Sequence, residues 1–167
     1  MNRFVSILIC LLVGAAMASC SSSPQTPTSP PQSTGGTVGK ITVEQLTAKA
    51  ASIMVGKVTN IACYQEGKGN IYTLVTLSVE QTIKGETGGE VAIRVPGGKV
   101  GGLEMMVTDA PSFQLGERAV VFLDNSEGTF TVVGGFQGKF TIDSNNMVGN
   151  KPLTEFTDQI KDILAGH

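Results

Sequence analysis

Tryptophan is absent, histidine occurs once, and aromatic residues make up only 5% of the 167-residue chain. The single histidine is His167, the last residue, where chain ends fray by default. A Ser-His-Asp or Cys-His arrangement therefore lacks its base, and a histidine-based zinc site lacks its ligands. A dispersed carboxylate pair needs only spatial proximity, so an enzyme of that kind stays open as an alternative, although so few rings are a poor endowment for stacking sugars. Three Gly-Lys pairs, Gly67-Lys68, Gly98-Lys99 and Gly138-Lys139, lack both the earlier glycine and the following Ser or Thr of a phosphate loop. They read as hairpin turns. Asp143-Ser144-Asn145-Asn146 lacks the glycine and terminal glutamate of a calcium loop, and reads as a turn. No metal, no cofactor and no catalysis is expected.

Concentrated charge of one sign is missing too. Twelve Lys and Arg face fourteen Asp and Glu, well mixed along the chain, whereas nucleic acid needs a concentrated basic face. Cysteines number three: Cys10, Cys20 and Cys63. Beyond the first twenty residues no apolar run approaches the roughly 20 residues that span a bilayer.

What is present begins at the N-terminus. Arg3 precedes an almost unbroken apolar run from Phe4 to Ala18, and the small residues Ala18 and Ser19 stand directly before Cys20. That is the outline of a secretory signal. With a cysteine at the cut site it resembles a bacterial lipoprotein signal, in which the cysteine is diacylated and becomes the mature N-terminus. Met17 stands where leucine is usual in that family. The alternatives are plain secretion and an uncleaved anchor. Removing residues 1–19 takes one base, Arg3, from the twelve and leaves 11 basic against 14 acidic side chains, a formal −3 with a blocked N-terminus. Two acyl chains anchor stably where one holds only marginally, so the expected partner is a membrane, held through lipid on Cys20 at the extracytoplasmic face. Cys63 is then the only thiol of the mature chain, and stability must come from a core and not from disulfides. It follows Ala62 at the end of an apolar stretch, which suits a buried small hydrophobe at a strand end. A reactive thiol needs a cationic neighbour, and none is adjacent in sequence.

Residues 20–40 hold the lipidation site and a tether. Pro24, Pro27, Pro30 and Pro31 alternate with Ser, Thr and Gln, and Gly35-Gly36 follow. Such a stretch buries too little apolar surface to offset the entropy of ordering it. The globular domain is expected over 41–166. Thr42-Val43-Glu44-Gln45 has the form of a capping box, opening a short helix with Val43, Leu46 and Ala50 on one face. A β pattern starts at Ser52 with Ile53, Val55, Val58 and Ile61, and Gly56 marks a bulge. The clearest periodicity is Ile71, Thr73, Val75, Leu77, Val79 and Ile83 on one face of a long strand. Strands follow at 91–95, 103–107, 119–123, 130–132 and 139–142, the one at 119–123 apolar on both faces and therefore central. Pro152 opens a last amphipathic helix with Leu153, Phe156, Ile160, Ile163 and Leu164 as its stripe. The expectation is a mainly β fold, a small antiparallel OB-like or Greek-key barrel of 6–7 strands with a helix at each end.

From Ala51-Ser52-Ile53-Met54-Val55-Gly56-Lys57-Val58 through Tyr72 and Val79 to Lys84-Gly85, the chain resembles the opening of the OB-fold domain of tissue inhibitors of metalloproteinases and netrin-like modules. Residues 51–142, with Val95-Pro96-Gly97-Gly98 and Ala110-Pro111-Ser112-Phe113-Gln114-Leu115-Gly116-Glu117, also resemble uncharacterised exported bacterial domains. The inhibitors insert a disulfide-bonded N-terminal cysteine into the protease cleft. Here Cys20 would be acylated and set apart by the tether.

OB-type barrels bind through one sheet face and its loops, so binding is expected at the 63–70 turn and the 96–106 loop, through Tyr64, Lys68, Lys99, Met105 and Met106. Adjacent methionines on a strand point to opposite faces, so one is either core or an adaptable contact. The leading expectation is a lipid-anchored, non-catalytic module that binds an extracytoplasmic protein or ligand, with no nucleic acid. The alternative is a tethered protease inhibitor or protease-associated module.

Overall fold

Thr42 closes a reciprocal cap on the first helix. Its Oγ1 accepts from the Gln45 N–H at 3.3 Å, while Gln45 Oε1 accepts from the Thr42 N–H at 3.1 Å, the capping box that the sequence spells. The computed structural model describes residues 39–67, 69–125 and 128–166; the proposed signal, Cys20, most of the tether and Lys68 lie outside them. Helix α1 runs Val43–Lys49 and buries Leu46 fully, with Ala50 just beyond it. The strands are β1 (Ser52–Glu66), β2 (Asn70–Lys84), β3 (Glu90–Pro96), β4 (Gly98–Val100), β5 (Leu103–Met105), β6 (Arg118–Asp124), β7 (Thr131–Val132), β8 (Lys139–Ile142), β9 (Met147–Val148) and β10 (Lys151–Pro152). Helix α2, Leu153–Ala165, follows, and Gly166 ends it in the left-handed region.

Eight of these strands form one antiparallel sheet in the order β10-β9-β8-β6-β1-β2-β3, with β7 also paired to β6. The remaining two, β4 and β5, make a separate hairpin. Strand β6 is central as its composition suggested, because both of its faces are covered. Val120 and Phe122 look toward the helices, packing with Ile53, Val55, Leu46, Phe156 and Ile160. Ala119, Val121 and Leu123 look the other way, into a second core with Met54, Val58, Val75, Leu77 and Ile93. Full burial of each large apolar side chain contributes about 1.5–3 kcal/mol, so the two cores are a main source of stability, and Cys63, the cysteine among the described residues, is free.

The β1–β2 ladder slips register at Val55/Gly56, and also at Ile53/Met54 and Val58/Asn60. A Cβ on Gly56 would lie 2.9 Å from the Ser78 carbonyl oxygen, so the bulge needs glycine there. Slips of this kind change which face a residue presents. Val58 and Ile61 thus both join the inner core, and Ile83 packs on the helix side, not with Val75 and Leu77 as strict alternation required.

The sheet curls but does not close into a barrel, which corrects the barrel reading. Strand β3 meets the segment before β7 at one parallel bridge, Ile93 to Phe130, with the Arg94 N–H donating to the Phe130 carbonyl at 2.8 Å. Strand β7 is two residues long, too short to extend that bridge into a ladder. The expectation of 6–7 strands also missed β4, β9 and β10, each two or three residues long. Neither Gly98-Lys99 nor Gly138-Lys139 is a hairpin turn: the first opens β4, and the second joins a 3-10 turn to β8. Asp143 does sit in a turn, where one carboxylate oxygen accepts from the Asn145 and Met147 N–H groups. Among the described residues no helix is long and apolar enough to cross a membrane.

Candidate functional site

The far end of the β1–β2 ribbon runs past β6, whose pairing with β1 stops at Lys57. Beyond that point the inner face of the ribbon carries Ile61 opposite Val75 and Cys63 opposite Thr73. The chain leaves β3 at Pro96, turns through Gly97, and lays the β4–β5 hairpin over this face. Contact there is close. A Cβ on Gly98 would lie 2.7 Å from Thr73 Oγ1 and 2.9 Å from Cys63 Sγ, and Gly98 has φ +134°. Only glycine meets both conditions. The Gly97-Gly98 pair, which by sequence looked like loop punctuation, is the seat of the hairpin.

Between hairpin, ribbon and the segment 106–113 lies a cavity of about 490 Å³ with Val75, Val95 and Phe113 in its walls. A smaller and more apolar hollow of about 280 Å³ adjoins it, sharing Pro96, Val107, Ala110 and Pro111. A wider hollow of about 640 Å³ runs along α2, but it is shallow and lined by charged side chains such as Lys151 and Glu155, which pair with each other at 3.7 Å. The pair of hollows under the hairpin is the better candidate, because it is more apolar, shares a wall and is built over the core.

Lys99, Met105 and Met106 all border the larger hollow. Met105 is half-buried and Met106 is 88% exposed. Tyr64 is elsewhere. It follows Cys63 on the strand and therefore takes the opposite face, where it stacks on its cross-strand partner Tyr72 at 5.8 Å between ring centroids. The Arg94 guanidinium covers the Tyr72 ring at 3.6 Å and pairs with Glu66. Tyr64 belongs to that outer cluster and not to the cavity. Lys68 and Cys20 fall outside the described residues.

Cys63 is exposed, not buried, because the β1–β2 ribbon overhangs the core at this point. Its Sγ lies 3.4 Å from Thr73 Oγ1. The Thr73 hydroxyl, and after it the Lys99 N–H, hold the thiol below its ordinary value, against a slight upward push from burial. Thr73 also donates to the Gly97 carbonyl at 2.8 Å. The Thr73 hydroxyl thus sits between the Gly97 carbonyl, to which it donates, and the Cys63 sulfur.

The cavity wall at 111–116 is pinned from behind. Glu117 Oε2 accepts from the Gln114 N–H at 2.9 Å, and Lys139 Nζ donates to the Ser112 carbonyl at 2.5 Å. Burial pushes the Glu117 carboxyl up, but hydrogen bonds from Lys139, Thr141 and the Gln114 N–H outweigh it and leave it below the ordinary carboxylate value. Cys63, Thr73, Gly98 and Phe113 are members of this site that the sequence did not assign to binding. The one available signal was Pro96-Gly97-Gly98 directly after an alternating strand. No protein-family model matches the chain, and no curated protein does.

Proposed function

We propose that the chain is a lipid-anchored, non-catalytic binding module on the outer face of a bacterial membrane. In this reading Cys20 carries the lipid, residues 21–40 are the tether, and the two adjoining hollows beneath the β4–β5 hairpin receive an apolar segment of an extracytoplasmic protein. One observation carries the choice of surface. Met106 and Val107 are 88% and 37% exposed, and both border those hollows. Exposed apolar groups clustered at a concave site are typical of interaction surfaces. Unbranched methionines fit such a surface because they adapt to the partner's shape.

The test is affinity capture from native membranes with the parent chain, Lys99→Ala and Met106→Ser. The reading expects a partner that is retained by the parent and lost from Met106→Ser while the variant's melting temperature stays unchanged. Capture that is identical in all three would remove the hairpin from the binding surface. A captured protease whose activity falls on binding would instead assign the tethered-inhibitor role.

A further inference from the structure

We propose that the seam between β3 and β7 is the slot that receives the partner, and that it receives an extended peptide segment whose backbone takes the rung Pro96 cannot supply. The inference rests on the binding-module reading and names the form its partner takes. Three hydrogen bonds fix the geometry. The Arg94 N–H donates to the Phe130 carbonyl at 2.8 Å, so residues 94 and 96 turn their backbone groups toward β7. The Gly97 N–H donates to the Ile71 carbonyl at 2.8 Å, so the residues between them turn theirs toward β2. Across the seam, the Val133 N–H donates to the Phe122 carbonyl at 2.9 Å, which commits residue 133 to β6 and leaves the Val132 backbone facing β3.

Bonds in a parallel ladder are evenly spaced along both strands. After the Ile93–Phe130 bridge, the next rung would join the N–H of residue 96 to the carbonyl of Val132. Residue 96 is proline and has no N–H. The short β7 leaves room for one more rung, and Pro96 removes that one. The hollow of about 280 Å³ opens at this point, with Arg94 and Pro96 on one side and Thr131 and Val132 on the other. Arg94 adds a second unmet group, because its Nε is buried with no hydrogen-bond partner among the described residues. An acceptor on one wall and a donor on the other complement an extended backbone, which carries one N–H and one C=O per residue. Such strand addition takes its affinity from main-chain bonds and its selectivity from a side-chain pocket. Val107, Ala110 and Pro111 make that pocket apolar, so the residue entering it is apolar too.

The experiment pans random peptides displayed on phage against the full chain, then titrates the selected peptides against the parent and Pro96→Ala. Pro96→Ala restores the missing N–H, so the seam should zip. Its melting temperature should rise, and the new amide at position 96 should be protected from hydrogen exchange. Peptide affinity should fall about tenfold or more in that variant, the size of one buried hydrogen bond. A scan that methylates one peptide amide at a time should find one position with a similar loss. Amide shifts on the parent should centre on Val107, Ala110 and Val132. Equal affinity for the parent and Pro96→Ala, or indifference to every single N-methylation, would overturn the seam. Peptides that Met106→Ser still weakens in that case would leave the broader binding reading intact, whereas failure to select any peptide would overturn both. If Pro96→Ala lowers the melting temperature, the N-methyl scan on the parent decides by itself.

Discussion

Lys139 Nζ lies 2.6 Å from Glu117 Oε1, and only 11% and 12% of the two side chains remain exposed. This near-buried ion pair joins β8 to the segment before β6 and fixes the cavity wall between them. Lys139 also donates to the Ser112 carbonyl and sits 4.9 Å from the Phe113 ring centroid, while Glu117 accepts from the Thr141 hydroxyl at 2.6 Å. Removing one member leaves the other charge buried without its partner. Lys139→Met should therefore cost about 3 kcal/mol in chemical denaturation. A double Glu117→Leu, Lys139→Met variant should be closer to the parent than either single variant, since it leaves no stranded charge. Equal or additive losses would show that the pair is not what holds the wall.

Acid should weaken the same contact. The folded-state value of Glu117 is depressed below its ordinary 4.5. Its stabilisation is then complete above that value, and is lost as pH falls below it through the depressed folded value. Thermal melts of the parent and Glu117→Gln between neutral pH and pH 3 should converge as pH falls. A gap that stays constant with pH would contradict the linkage.

Core and rim should respond differently to truncation. Leu77 is fully buried in the inner core, so Leu77→Ala should cost about 2–5 kcal/mol through the cavity it leaves. Met106→Ser, at an exposed position, should stay within roughly ±0.5 kcal/mol. Denaturant titration separates the two cases. A large loss for Met106→Ser would mean that its side chain packs in solution and is unavailable to a partner.

The sequence made the two helices and the long strands legible because their signals are local. The capping box at Thr42 and Gln45 and the stripe through Phe156 and Ile160 depend on spacing within one element, and both features appear in the fold. The period-2 run at Ile71 to Leu77 is equally local. What escaped was long-range. The failure of the sheet to close depends on β7 having only two residues to offer β3, and no pattern within β3 records that. The exposure of Cys63 depends on the ribbon overhanging β6, and the separation of Tyr64 from Lys99 and Met105 on the alternation of faces across a bulged strand. Lys99, Met105 and Met106 fell beside one cavity because the hairpin that carries them is short and contiguous.

The anchor has its own prediction. If Cys20 carries lipid, Cys20→Ala should shift the protein from the membrane fraction to the soluble one or accumulate the unprocessed precursor. Fractionation with mass determination of the N-terminal peptide checks this. Detergent-extractable membrane retention at mature length in that variant would contradict lipid anchoring.

The central claim is that the hollows beneath the β4–β5 hairpin receive a partner in the envelope. Its most direct test is photo-crosslinking in intact cells, with a photoreactive residue placed at Met106 or, as a control, at exposed Gln81 on β2. The account predicts a discrete crosslinked partner from position 106 that position 81 does not give. No adduct from position 106, or the same adducts from both positions, would contradict it.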